Sequence, residues 1–276
     1  MAKKLPTGFG MPEEWKHFAA RHRLFFERFP SLHKVMNLAF LRKFASSEPI
    51  DRVVFVSGRL CVEDFNEISL LCGNGYGVGA MKILRGMYER TVTARYLHLH
   101  PKETNAFLNF DWVSRHKLAK KIKETFGEDL LPKNEIKKIE AKFQEVQKQF
   151  MNPKTKRLNY TWRKFFSMAD KVGSIGKLIV PGYYLPTQQV HGTVYAISSR
   201  LKETQDGGLT FNEGPTRNEA DDCFRTAHIL LLDILALQVE HFKLDSLEQP
   251  LRHCFQDFKE IWKGKQEMGN QSGRQP

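Results

Sequence analysis

The sequence contains no long run of apolar residues. The longest one, HILLLDILAL at 228–237, includes Asp233. It is far shorter than a membrane-spanning helix, which needs about 20 residues. The first ten residues, MAKKLPTGFG, contain two lysines but no apolar stretch behind them of the kind found in a secretory signal. We therefore expect a soluble, cytoplasmic protein with no membrane partner.

The sequence is also poor in cysteine and has no strong catalytic signature. Its four cysteines form no C-x-x-C pair, which argues against a zinc site or a disulfide framework: Cys61, Cys72, Cys223 and Cys254. Cys223 stands beside Asp221 and Asp222, whose negative charges disfavour a reactive thiolate, so we expect it to be structural. No H-E-x-x-H, G-x-S-x-G or P-loop pattern occurs, and GNGYGVGAMK at 73–82 fits neither dinucleotide nor Walker spacing. We expect no metal and no cofactor.

Acidic residues are fewer than basic ones. The chain has 43 Lys and Arg against 31 Asp and Glu, which gives a formal net charge of +12. Fifteen basic and six acidic residues lie between 115 and 164, whereas 217–260 has five basic and nine acidic. Such a charge run usually faces water, so a solvated arm is one interpretation. The other is a phosphate contact, and we expect RNA or another nucleic acid as the partner, bound through this basic arm.

Helical periodicity is present nearly everywhere. Apolar residues recur at spacings of three and four with almost no sustained alternation, although VVFV at 53–56 alone could form a strand. We predict an all-α fold, a helical bundle of about eight helices with a long basic helical hairpin. The predicted helical stretches are Pro12 to before Pro30, Ser31 toward Phe44, 51–71, a helix ending near 99, 102–126, 132–151, 161–173, 185–201, 216–242 and 246–263.

These stretches divide the chain into four predicted segments. An N-terminal helical segment covers 1–49, and a helical core domain covers 50–202, with the basic arm at 102–160. The C-terminal helices at 203–264 are expected to pack on the core, and residues 265–276 form a disordered tail. Residues 204–215 are predicted to be a loop because they are rich in glycine and polar residues.

The stretch LRGMYERTVTARYLHLHP at 84–101 places Arg85 and Glu89 on the same helical stripe as apolar and aromatic residues. Arginine four residues before glutamate is the weaker order for stabilising a helix, so surface stabilisation explains the pair poorly. A guanidinium and a carboxylate in an apolar stripe need partners. The pair is therefore either a buried ion pair that fixes helix register or part of a ligand or catalytic site.

A second polar cluster follows in PGYYLPTQQVHGTVY at 181–195 and consists of Tyr183, Tyr184, Gln188, His191 and Tyr195. Tyr184, Gln188, His191 and Tyr195 lie on one face of the predicted helix at 185–201. His191 is the candidate acid or base of this face, although a lone histidine is more often structural. Gly192 beside it indicates close approach of another helix or of a ligand.

The order of these motifs resembles a family of mostly bacterial helical proteins of unknown function. The matching motifs are L-R-x-x-x-E-R-x-x-x-x-R-Y-L at 84–97, a basic helical arm, WRKFFSMADKVG at 162–173 and Y-x6-H-G at 184–192. The resemblance covers roughly residues 50–202. It implies that Arg85, Glu89 and His191 are the characteristic polar positions and meet in space, and it supplies no reaction.

A weaker resemblance is to HEPN ribonucleases, helical-bundle toxins and defence proteins with an R-x4-6-H motif at a dimer interface. The stretch 95–100 matches the motif, and so does 28–33. With seventeen arginines and ten histidines, roughly two matches arise by chance, so the motif alone does not discriminate. In such a nuclease Arg95 would stabilise phosphate charge and His100 would act as acid or base. Arg85, Glu89 and His191 could supply the same chemistry.

The residues favour a metal-independent endoribonuclease of toxin or phage-defence type, and whether the chain is an enzyme stays open. The expected catalytic residues are Arg85, Glu89 and His191. The expected substrate-binding residues are Arg90, Arg95, Tyr96, Tyr184, Gln188 and Tyr195. The alternative is a nucleotide- or anion-binding sensor or interaction module without catalysis, in which Arg85 clamps the anion. An architectural role for the Arg85 and Glu89 pair is a third hypothesis, and a homodimer is a further expectation.

Overall fold

The computed structural model describes residues 11–127 and 130–263. In these ranges the all-α prediction is confirmed, with eleven α-helices and one small two-stranded sheet. The helices are α1 Pro12–Arg21, α2 Arg23–Phe40, α3 Pro49–Gly73, α4 Gly77–Leu99, α5 Thr104–Phe126, α6 Lys133–Val146, α7 Phe165–Ala169, α8 Leu185–Val190, α9 Val194–Ser198, α10 Arg217–Phe242 and α11 Glu248–Trp262. No helix of the described part is both long and apolar enough to cross a membrane. The predicted tail at 265–276 lies outside the described residues.

Three long helices, α3, α4 and α10, form the centre of the fold, and each packs against the other two. Helix α10 is buried on nearly every face, which is typical of a central helix. Its fully buried apolar side chains are Ala220, Phe224, Ala227, Leu230, Leu231, Leu232, Ile234, Leu235 and Leu237. Each large apolar side chain buried there contributes about 1.5–3 kcal/mol to folding, so the burial of α10 stabilises the core.

The glycine-rich stretch at 73–79 is a tight connection between two of these helices. Helix α3 ends at Gly73 and α4 begins at Gly77, so only three residues lie between them. A Cβ atom added to Gly77 would lie 2.3 Å from the backbone nitrogen of Ala220. Glycine is therefore required at this position, because the first turn of α4 lies directly against the first turn of α10.

The first two helices differ from their prediction. We predicted one helix from Pro12 to before Pro30 and a second capped by Ser31, but the break is at His22 and Pro30 lies inside α2. The His22 side chain is buried, and its Nε2 lies 2.7 Å from Oδ1 of Asp221 on α10. This long-range contact orients the turn at His22. A proline inside a helix costs about 3 kcal/mol, which burial of the apolar face of α2 offsets.

The predicted basic helical hairpin is confirmed. Helices α5 and α6 run antiparallel, since Phe110 contacts Phe150 at one end and the His116 ring stacks on Phe143 further along. Val113, Phe143 and Phe150 form a small apolar cluster separate from the main core. Most other side chains of α6 are exposed, so the hairpin presents its lysines to solvent.

A short strand pair replaces part of the predicted loop at 204–215. Strands β1, Leu201–Glu203, and β2, Leu209–Phe211, pair antiparallel in the register Leu201↔Phe211, Lys202↔Thr210 and Glu203↔Leu209. All six residues are exposed. Each strand has only three residues, too few for an alternating pattern to be recognised in the sequence.

Candidate functional site

Arg85 on α4 is the centre of a polar cluster. Its Nε donates a hydrogen bond to Glu89 Oε1 at 3.1 Å, and its Nη1 lies 3.4 Å from His191 Nε2. Its Nη2 donates to the Tyr183 hydroxyl at 3.4 Å, and the guanidinium carbon lies 4.8 Å from the centre of the Tyr183 ring. The structure therefore brings Arg85, Glu89 and His191 together, with Tyr183 as a fourth member. We call these four residues the Arg85 cluster.

The cluster lies at the protein surface. The side chains of Arg85 and Glu89 are 23% and 40% exposed, and His191 is exposed. Both charged side chains of the helix pair are therefore partly buried and partly open to solvent. Helix α4 is buried on most of its circumference, and these two residues lie on the narrow strip where this central helix meets solvent. Charges on such a strip are accessible to a ligand.

A π-helical turn at Val180–Tyr184 places Tyr183 beside Arg85. The Leu185 amide donates to the Val180 carbonyl, which makes the turn one residue wider than an α-helical turn. Pro181 and Pro186 flank this bond and have no amide hydrogen to donate. Turns of this kind occur often at functional sites.

Tyr88 and Gly182 hold this turn against α4. The Tyr88 hydroxyl donates to the carbonyls of Ile175 and Gly176 at 3.2 and 3.3 Å. Burial raises the pKa of Tyr88 to about 12, so the hydroxyl remains a donor at neutral pH. A Cβ atom added to Gly182 would lie 2.8 Å from the Tyr88 ring. Glycine at 182 thus allows the turn to touch α4.

His191 lies between two short helices and not within one. The predicted helix at 185–201, with Tyr184, Gln188, His191 and Tyr195 on one face, is wrong, because α8 ends at Val190 and His191 has extended backbone angles. Thr193 begins α9, where its hydroxyl accepts from the Ala196 amide and donates to the Gln188 carbonyl. The Gly-Thr pair that follows His191 is a helix stop and cap signal. The break allows His191 to reach Arg85.

Three of the predicted substrate-binding residues lie on the surface in the same region of the chain. The side chains of Tyr184 and Tyr195 are about half exposed, and Gln188 is exposed. Tyr184 stacks on Phe166 with ring centres 5.7 Å apart. These residues provide an exposed, partly aromatic surface next in sequence to Tyr183 and His191.

Arg90 and Arg95 lie outside the Arg85 cluster and are paired with carboxylates. Arg90 forms a two-pronged ion pair with Asp64 on α3. Arg95 donates from Nε and Nη2 to the Asp233 carboxylate at 3.0 and 3.1 Å, and from Nη1 to Glu240 at 2.7 Å. Burial raises the pKa of Asp233, which Arg95 partly opposes. Both arginines connect α4 to its neighbours.

Tyr96 and His100 also belong to the interior packing. The Tyr96 ring is fully buried, and its hydroxyl donates to Glu103 Oε1 at 2.8 Å and accepts from Arg163. The His100 ring lies 4.5 Å from the Tyr96 ring, centre to centre. Arg95 is bonded to Asp233, so its guanidinium is directed to α10 and away from this packing.

Tyr183 belongs to the second polar cluster of the sequence but not to the predicted catalytic or substrate-binding residues, and Phe165 and Phe166 are absent from both. The centre of the Tyr183 ring lies 4.9 Å from that of Phe165, on which it stacks, and 5.5 Å from that of Phe166, which it meets edge-on. These phenylalanines therefore support the ring against which the Arg85 guanidinium packs. The sequence signal is the pair of aromatic dipeptides, FF at 165–166 and YY at 183–184. Within residues 11–127 and 130–263, no group of three or more His, Cys, Asp and Glu side chains is arranged to hold a metal ion.

Together, the fold and the site define an α-helical bundle protein with a partly exposed Arg-Glu-His cluster. A family model described as a family of unknown function, DUF5677, matches residues 53–209. The match covers more than half of the chain and includes the whole Arg85 cluster, so the chain belongs to this family. This confirms the predicted membership in a helical family of unknown function. No curated protein and no solved structure matches the chain.

Proposed function

We propose that the protein is a metal-independent endoribonuclease whose centre is the Arg85 cluster. The observation that carries this proposal is the direct contact of one partly exposed arginine with a carboxylate and an imidazole. Cleavage of RNA without a metal needs a proton acceptor for the ribose 2′-hydroxyl, a cation for the charge on phosphorus, and a proton donor for the leaving oxygen. Glu89, Arg85 and His191 supply these three groups.

The roles follow from the chemistry of each group. The Glu89 carboxylate takes the proton of the 2′-hydroxyl, and the 2′-oxygen attacks the adjacent phosphorus. Arg85 binds the non-bridging oxygens as negative charge accumulates on them. The bond from phosphorus to the 5′-oxygen breaks, and His191 donates a proton to that oxygen. The products are a 2′,3′-cyclic phosphate and a free 5′-hydroxyl.

Glu89 also separates this proposal from the anion-binding alternative. A carboxylate within 3.1 Å of the Arg85 guanidinium repels a bound anion, so a site that only clamps a phosphate gains nothing from it. A proton acceptor in that position is required for attack by the 2′-hydroxyl. The exposed rings of Tyr184 and Phe166 give bases a stacking surface, which single-stranded RNA uses.

The test is cleavage of a 5′-labelled single-stranded RNA in the presence of EDTA. We expect wild-type protein to leave a 2′,3′-cyclic phosphate and to leave an all-deoxy strand intact. His191→Ala and Glu89→Gln should each reduce the cleavage rate by about 100- to 10,000-fold. The control is His17→Gln, which removes an exposed histidine on α1 and should cleave at the wild-type rate.

The results that contradict the proposal are equally specific. Equal cleavage by wild type and His191→Ala would assign the activity to another nuclease or to another site. Intact RNA combined with thermal stabilisation by a nucleotide, removed by Arg85→Ala, would favour the binding module. We further propose a cytoplasmic toxin or defence role, for which bacterial expression of wild type should arrest growth and His191→Ala should not. The homodimer stays a prediction that light scattering can test.

A further inference from the structure

A cavity separate from the Arg85 cluster lies where the basic hairpin joins the core. It has a volume of about 540 Å³ and is formed by the loop at 152–164 and the start of α7. The Asn152 side-chain oxygen accepts from the amides of Lys154 and Thr155 at 2.9 and 3.1 Å, and Met151 and Leu158 form an antiparallel bridge. The loop is therefore shaped by its own backbone bonds.

The walls of this cavity are positively charged. Three of its lining residues are basic, namely Arg157, Arg163 and Lys164, and none is acidic. Arg163 is bonded to Glu103 and Tyr96. Arg157 and Lys164 are exposed, and neither forms an ion pair with a carboxylate in the part of the chain that the structure describes. Two cations are thus available to an anionic ligand.

Tyr160 adds an aromatic group at the rim. Its side chain is 95% exposed, and the Lys117 ammonium group lies 5.6 Å from its ring centre. Lys117 also donates to the Asn159 carbonyl at 2.8 Å, which ties this part of the loop to α5. An aromatic face next to cations is the combination that binds single-stranded nucleic acid, since bases stack and phosphates pair with the charges.

The short helix α7 connects this cavity to the Arg85 cluster. Lys164 and Ser167 line the cavity, whereas Phe165 stacks on Tyr183. The Arg85 guanidinium lies over the Tyr183 ring. A strand bound in the cavity would therefore lie next to the helix that borders the catalytic residues. Binding there would raise the local concentration of RNA at the Arg85 cluster.

We propose that this cavity binds one nucleotide of a single-stranded RNA substrate, with its phosphate on Arg157 and Lys164 and its base stacked on Tyr160. The inference rests on the proposed ribonuclease function and names a substrate-binding site for it. The proposed site needs no metal ion and does not distinguish one base from another. It adds affinity for the strand outside the bond that is cleaved.

The experiment measures fluorescence anisotropy of a labelled 12-nucleotide RNA against the full chain carrying His191→Ala, so that the RNA stays intact. Adding Tyr160→Ala should raise Kd about tenfold or more, the loss of one stacked base. Adding Arg157→Gln and Lys164→Gln together should reduce the slope of log Kd against log salt by about 0.7, since both side chains contact the same phosphate and each neutralised phosphate of a single strand contributes about 0.7. The control, Lys34→Gln with Lys259→Gln, removes two exposed lysines from α2 and α11.

Binding by both cavity variants within twofold of the control would overturn the proposal. Complete displacement of the RNA by micromolar AMP would also overturn it, because the occupant would then be a free nucleotide. Failure of the ribonuclease proposal is a separate result, namely intact RNA with the wild-type chain. Because binding is measured without cleavage, weaker binding by Tyr160→Ala supports the site under either result.

Discussion

Because His228 is buried, we predict that the free energy of unfolding falls in mild acid. This residue lies in the core, 2% exposed, and its ring centre is about 5 Å from those of Phe25 and Phe258. Trp262 donates its indole N–H to His228 Nδ1 at 3.2 Å, so this nitrogen carries no proton. Burial lowers the pKa of His228 from 6.5 to about 3. A proton on Nδ1 would also remove the acceptor of the Trp262 indole N–H, because two hydrogen-bond donors would then face each other.

The direction and size of the effect follow from proton binding. In the unfolded chain this histidine binds a proton as pH falls through about 6.5, whereas the folded chain does so only near 3. Only the unfolded state gains this proton between these values, so stability is lost as pH falls through this window. At pH 5, about 1.5 pH units below the unfolded pKa, the loss is about 2 kcal/mol relative to pH 7 at about 1.4 kcal/mol per unit.

Urea denaturation followed by tryptophan fluorescence at pH 7 and pH 5 measures this loss. His228→Gln keeps an acceptor for Trp262 but cannot titrate, so between pH 7 and pH 5 it should lose about 2 kcal/mol less than wild type. His17→Gln on the surface of α1 should retain the wild-type loss. Identical losses for wild type and His228→Gln would refute the assignment of a neutral, buried His228.

Two substitutions test the packing that positions the site. Gly182→Ala places a methyl group 2.8 Å from the Tyr88 ring. The free energy of unfolding of this variant should fall by about 1–3 kcal/mol, and its rate of RNA cleavage should fall as well. Wild-type stability of the variant would contradict the close contact. Arg95→Met leaves the mostly buried Asp233 carboxylate without its arginine partner and should lower the free energy of unfolding by roughly 3–5 kcal/mol. The exposed control Arg115→Met should lower it by less than about 1 kcal/mol, and equal losses in urea denaturation would argue against a special role for Arg95.

The long helices could be predicted because each buries an apolar stripe. Helices α3, α4 and α10 and the basic hairpin follow the spacing of their apolar residues. The prediction failed at His22 and His191, where the chain turns within a stretch that could continue as a helix. At His22 the turn is fixed by Asp221, which is 199 residues away, and no local pattern contains that information.

The site could be predicted only in part. The resemblance pointed to Arg85, Glu89 and His191, which the structure brings into contact. Arg95 was expected to bind substrate and matches the R-x4-6-H motif, but its partner Asp233 lies 138 residues away on α10. Tyr183 could not be predicted as a contact of Arg85, because its position depends on a π-helical turn that α-helical spacing does not describe.

The π-helical turn at Val180–Tyr184 makes the site sensitive to chain length. Deletion of one residue there would favour an ordinary α-helical turn and rotate the following helix by about 100°. His191 would then leave the face of α4 that carries Arg85, although no residue of the cluster had changed. Substitution of the exposed Val180 would leave this geometry intact. In this region, alignments and engineered variants must preserve the residue count between Gly182 and His191 as strictly as the residues themselves.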